Sequence, residues 1–159
     1  MDVREQIYVN TTKPKPSLVK PIKNRKGCSK PKGGFWTSPS YGNISDFERY
    51  EDGALIKSNS KAWKLIPKKD CNVKFILKED DLQKLPKISY NTCSPINYID
   101  FETFFSRGYD GLYISGDVAH LKSFSNDCNL RGWDFDSIIW SNLNWVDTII
   151  PMDEISKRR

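Results

Sequence analysis

Gly132-Trp133-Asp134-Phe135-Asp136-Ser137-Ile138-Ile139-Trp140 is the stretch on which the fold turns. Its last four residues form the strongest β run in the chain, with two β-branched residues, an aromatic and no charge. That composition is expected of a central strand covered on both faces. Read as one strand, positions i and i+2 share a face, so Asp134 and Asp136 point one way and Phe135 the other. Two acids on one face at the entrance to an apolar strand suit a site. An acid pair at a strand start, facing solvent, is the plainer structural alternative.

Outward from that stretch, residues 6–11 read as a short first strand. Lys32-Gly33-Gly34-Phe35-Trp36-Thr37-Ser38-Pro39 reads as a glycine hinge entering a brief strand that stops at proline. Its glycines would let backbone approach a ligand, and Trp36, Thr37 and Ser38 would follow as a flat aromatic and two hydroxyls. A tight turn with a core tryptophan is the alternative. Residues 45–50 read as a short helix ending at Gly53. Residues 62–66 and 72–77 alternate as strands, and Lys68-Lys69-Asp70 between them suits a hairpin turn. Residues 79–85 form an acidic helix or turn closed by Pro86, and residues 100–105 a helix with an aspartate N-cap. A strand over 111–114, one or two helical turns over 117–124 and a final strand over 145–150 complete the chain. Short strands outnumber short helices and do not alternate with long ones. The expectation is an α+β fold with a small, mostly antiparallel split sheet, in a single domain over residues 1–159.

Composition narrows the chemistry. The 159 residues include five Trp, seven Tyr and eight Phe, too aromatic for a disordered chain. Because there is one histidine, a site with two His ligands is excluded, and any histidine catalysis must use His120. In its context His120 reads as a surface or capping residue. Trp133, Trp140 and Trp145 fit core packing better than a cofactor box. Cys28, Cys71, Cys93 and Cys128 lie 43, 22 and 35 residues apart with no C-x-x-C pair, so they read as reduced thiols; a zinc site gathered from all four is the alternative. No apolar run spans a membrane, and Met1-Asp2-Val3-Arg4-Glu5 lacks an apolar leader, so a cytoplasmic location is expected.

The net charge of +5 hides an asymmetry. Residues 1–34 carry nine Lys/Arg against two acids, whereas residues 95–155 carry three against ten. The Pro/Lys-rich segment 12–33 reads as an extended basic loop, either plain solvated surface or a wall that attracts phosphate. Aromatics are absent between Tyr8 and Phe35, which weakens the stacking pattern of single-strand binders and favours a small phosphorylated ligand. Paired carboxylates support glycosyl chemistry without histidine, since a carboxylate beside a ribose stabilises the charge that develops at the anomeric carbon. The same pair could hold Mg²⁺, given a third oxygen donor.

The order of a first strand, Gly34-Phe35-Trp36-Thr37-Ser38-Pro39, Tyr109-Asp110-Gly111-Leu112 and Trp133-Asp134-Phe135-Asp136-Ser137-Ile138-Ile139 resembles small bacterial and phage proteins with an ADP-ribosyltransferase-like fold. The resemblance touches about 30 residues. It implies an NAD+ cleft between two small sheets, with Thr37 and Ser38 as the Ser/Thr-Ser element and Trp36 beside nicotinamide. Asp136, or else Asp134, would hold the nicotinamide ribose. The first-strand Arg or His of that family has no match, and Asn10, with Thr11 beside it, is the nearest polar candidate; the acids are Asp where Glu is usual.

Three functions follow as expectations. The first is transfer of ADP-ribose from NAD+ to a macromolecular acceptor, as a phage or bacterial effector, using Asp136, Asp134 and Ser38 in catalysis and Trp36, Thr37, Gly34, Asn10 and Thr11 to bind the cofactor. The second is a non-catalytic interaction protein, such as a phage inhibitor of a host factor, that binds protein or nucleic acid through the basic loop. The third is a nucleic-acid-binding domain driven by N-terminal charge.

Overall fold

The computed structural model describes residues 2–41, 44–45, 61–90, 93 and 95–152. Within them the chain is α+β, with three short helices against many short strands. In chain order these are β1 (Gln6–Asn10), a 3-10 turn (Pro16–Leu18), β2 (Lys20–Lys23), β3 (Lys32–Tyr41), β4 (Ile44–Ser45), β5 (Lys61–Pro67) and β6 (Val73–Ile76). They continue with α1 (Glu79–Gln83), β7 (Lys87–Ser89), β8 (Asn97–Ile99), α2 (Phe101–Ser106), β9 (Gly111–Ile114), α3 (Gly116–Leu121), β10 (Ser137–Trp140) and β11 (Val146–Met152).

The main sheet runs β11-β5-β1-β3-β10-β9-β6, with β2 and β4 also on β3, while β7 and β8 form a separate ribbon. Every described pairing is antiparallel except β6 with β9. β10 is central, between β3 and β9, and all four of its residues are buried. Its register sets two faces: Ile138 lies beside Thr37 and Tyr113, and Ile139 beside Trp36 and Leu112. Ile139, Leu112 and Ile114 pack under Phe101 and Phe104 of α2, Val118 of α3 and Trp133. On the other face Ile138 and Trp140 join Phe35, Tyr8, Trp63, Leu65 and Trp145. Trp140 and Trp145 stack with centroids 3.6 Å apart, and a Cβ on Gly111 would meet the Trp140 ring at 2.7 Å. Burying each such side chain contributes about 1.5–3 kcal/mol.

The sheet is nearly divided. β1 pairs with β3 at Gln6–Pro39 and Ile7–Ser38, extended by the Ser40 N–H on the Glu5 carbonyl at 2.8 Å, whereas it pairs with β5 along its full length. That short seam joins β11-β5-β1 and β3-β10-β9-β6 as the two half-sheets of one continuous sheet. The ring stack of Tyr8 on Phe35, 4.4 Å between centroids, bridges them on one face.

Four expectations are corrected. β3 does not stop at Pro39 but continues to Tyr41. Ser40 donates its N–H to Glu5, so alternation turns Pro39's nitrogen to the opposite edge, beyond the start of β10, and no ladder bond is lost. Strands 62–66 and 72–77 exist but are not a hairpin: β5 has β1 and β11 as its neighbours, and β6 lies at the far edge beside β9. The basic segment is not a featureless loop, since it holds the 3-10 turn and β2, with Pro21 on a strand whose register is irregular. Asp134 and Asp136 precede β10 and are not part of it. The helix expected over 45–50 falls outside the described residues except at Ser45, which ends β4.

Candidate functional site

Strand alternation places Trp36 and Ser38 on one face of β3, with Ile139 and Ser137 of β10, and turns Thr37 to the other. Ser38 is fully buried, and its hydroxyl donates to the main-chain oxygen of Asp136 at 3.1 Å. That bond is the direct link between the predicted hydroxyl element and the predicted acid. The Asp136 carboxylate is half-buried, and its Oδ1 accepts the N–H of Gly116 at 2.6 Å, where α3 begins. Close approach makes this contact feasible, because a Cβ on Gly116 would meet Asp136 N at 3.2 Å.

Trp36 is half-exposed, with Trp133 set edge-on at 4.9 Å. Lys30, from the basic segment, places Nζ 5.2 Å from the Trp36 ring centroid. Burial lowers the Lys30 pKa, and the nearby exposed Asp134 opposes that shift. The Ser29 hydroxyl donates to the Arg131 carbonyl, and Trp133 Nε1 donates to the Ser29 carbonyl at 3.0 Å. These bonds hold Lys30 against the segment carrying the acids. Trp36 and Lys30 are thus set together with Asp134 near Lys30, and the buried Ser38 on the same face of β3 holds the main chain of Asp136. That donor set is suited to a ligand with a flat ring, a sugar and phosphate, because it combines stacking, carboxylate and ammonium groups. No local spacing marks Lys30 among the nine basic residues of 1–34.

The other candidates are placed elsewhere. Thr37 is fully buried, donating to Gln6 Oε1 at 2.7 Å and accepting from Trp140 Nε1 at 2.8 Å. Gly33 and Gly34 have φ of 74° and 72°, yet it is protein that approaches them. A Cβ on Gly33 would lie 2.1 Å from the Pro21 carbonyl oxygen, and one on Gly34 2.9 Å from Ile139. Asn10 is exposed at the end of β1 with its amide on the Tyr8 hydroxyl at 2.7 Å, and its Oδ1 accepts the N–H of exposed Thr11 at 2.7 Å. By alternation Asn10 faces away from Trp36 and Ser38. Trp133, Trp140 and Trp145 are core residues, each 1% exposed or less. His120 is exposed in the last turn of α3. The four cysteines are free thiols, of which only Cys128 is buried, and the described residues hold no group of three potential metal ligands. No described helix is long and apolar enough to cross a membrane.

Comparison with protein-family models, with curated proteins and with solved structures finds no match to this chain.

Proposed function

We propose that the protein is an ADP-ribosyltransferase-like enzyme that takes NAD+ at the seam between its half-sheets and transfers ADP-ribose to a macromolecular acceptor. The observation that carries this reading is the Ser38–Asp136 bond at 3.1 Å, with Trp36 two residues away on the same face of β3. In this reading the Trp36 ring stacks on nicotinamide and Lys30 meets the pyrophosphate. The bond between the nicotinamide nitrogen and the anomeric carbon breaks with its electron pair going to nicotinamide. The Asp136 carboxylate stabilises the oxocarbenium-like carbon, and a nucleophile of the acceptor bonds to it and gives up its proton. Ser38 acts as a positioning residue, because its buried hydroxyl holds the main chain of Asp136.

Incubation with NAD+ labelled in the adenylate moiety, together with a bacterial lysate, tests the reading. Labelled macromolecules and free nicotinamide are expected; neither product would sink it. A second reading, a non-catalytic interaction protein acting through its basic segment, is favoured by one observation. Both hydroxyls of the Thr37-Ser38 element are buried and bonded within the protein. Under that reading the lysate yields a bound partner that is lost when Lys13, Lys15 and Lys20 are changed to Glu, with NAD+ left intact.

A further inference from the structure

β6 ends the main sheet: β9 pairs with one of its edges, and no described strand pairs with the other. The Asn72 carbonyl accepts from the N–H groups of Asp110 and Gly111, and the Ile76 carbonyl from that of Ser115. With the parallel register, this turns the main-chain groups of Asn72, Lys74 and Ile76 inward, to β9. Alternation turns the N–H and C=O of Val73 and Phe75 outward, where no described residue bonds to them. Such an edge is a template for a further strand. It closes after Ile76, because Asp81 Oδ2 accepts the N–H groups of Leu77 and Lys78 at 3.0 and 3.1 Å.

The side chains along this edge alternate in kind as well as in direction. Val73 and Phe75 share a face with Tyr113 and Ile138. On that face Phe75, Leu77, Tyr113 and Ile138 line a pocket of about 490 Å³. The Phe75 and Tyr113 rings lie 5.4 Å apart along its wall, and Leu77 is 45% exposed. Lys74, between Val73 and Phe75, points to the opposite face, half-buried, and forms no ion pair with a described residue.

We propose that this edge binds a partner protein by strand addition, taking an extended segment in which an acidic residue is flanked by apolar ones. The segment's main chain pairs with the outward N–H and C=O groups of Val73 and Phe75. In this mode backbone bonds give affinity and alternate side chains give specificity. The apolar residues lie beside Val73 and Phe75, and the larger reaches over Phe75 into the pocket. The residue between them comes opposite Lys74, where a carboxylate is favoured. The net charge of +5 also draws an acidic segment to the protein. A second copy of this chain fits the edge less well. Pairing β6 with itself about a two-fold axis centred on Lys74 would set the two lysines opposite each other. β9 and β10 separate the edge from β3, so strand addition and NAD+ turnover succeed or fail separately.

The test is titration of the full chain against a panel of short labelled peptides, each with Val, Leu or Phe on both sides of a central Glu or Lys. Saturable one-to-one binding is expected of the Glu peptides, several-fold tighter than of the Lys peptides at low salt. Methylating the main-chain nitrogens of alternate peptide residues should cost about tenfold in the frame that faces β6 and little in the other. Hydrogen exchange at the Val73 and Phe75 N–H groups should slow in the complex. Lys74→Glu should reverse the preference between the two series. The peptide and exchange measurements on the unaltered protein decide even where that variant does not fold. No saturable binding by any peptide, equal affinity for Glu and Lys peptides, equal affinity in both methylation frames, or unchanged exchange at Val73 and Phe75 overturns the proposal. Self-association that slows the same two amides also overturns it, since a second copy would then take the edge.

Discussion

At the residue scale, Thr37 shows how a sequence pattern can mark the right strand and the wrong face. Two adjacent hydroxyls after a tryptophan were legible, but which of them faces the sheet's interior depends on the register of β10, and no local signal encodes register. The Thr37 hydroxyl donates to Gln6 and accepts from Trp140. Thr37→Val keeps the shape but leaves the Trp140 N–H unsatisfied, so urea denaturation should show a loss of about 1–3 kcal/mol. Thr37→Ser should recover most of it. The cysteines give a second residue-scale expectation. Burial pushes the Cys128 thiol up to about 11, whereas Cys93 is exposed. A thiol reagent at pH 8 should therefore modify Cys93 in the native protein and reach Cys128 only on unfolding. Because the folded value is raised, this group's stabilising contribution is complete below the ordinary thiol value of about 8.5. It is lost as pH climbs from there through about 11.

At the element scale, most strands and helices were legible because alternation, β-branching and caps are local, and α2 shows this well. Asp100 accepts the Thr103 N–H at 3.1 Å, as expected of an N-cap. Asn24 ties the basic segment to the same cap, donating to Asp100 Oδ1 at 2.8 Å and accepting the Phe101 N–H at 2.9 Å. That tie links positions 76 and 77 residues apart, which is why the segment read as a plain loop. Burial raises the Asp100 pKa, but hydrogen bonds from Asn24 and Thr103 outweigh it and hold the group below its ordinary value. Asp100→Ala should cost about 1 kcal/mol at neutral pH. The difference from the parent protein should shrink as pH falls from about 4, the ordinary carboxylate value, through the lower folded value. The β2–β3 pairing gives a sharper expectation. Gly33→Ala forces a Cβ against the Pro21 carbonyl at positive φ. The melting temperature should fall by several degrees, with hydrogen exchange rising first in residues 20–34.

At the scale of the whole molecule, the class and the central strand followed from composition and from the run at 137–140. The strand order did not. β5 and β6 are separated by a short turn yet lie at different places in the sheet, because β9 offers β6 an apolar edge while β1 and β11 occupy both edges of β5. The same ordering brings together residues distant in sequence: Lys30 onto Trp36, and Gln6 beside Phe75 and Tyr113. Charge was legible only as a polarity of basic front and acidic back. The structure joins the two, setting Lys30 near Asp134 and Lys23 on Glu102 at 3.3 Å.

In the proposed reading the seam beside Trp36 and Ser38 turns over NAD+ through Asp136, and nicotinamide release is the quantity to measure. Asp136→Asn keeps an oxygen to accept the Gly116 N–H, so the fold around α3 should survive while the charge is removed. The parent protein should release nicotinamide measurably, and Asp136→Asn should lose at least a hundredfold of that rate with an unchanged melting temperature. No release by the parent, or equal release by the folded variant, would contradict that reading.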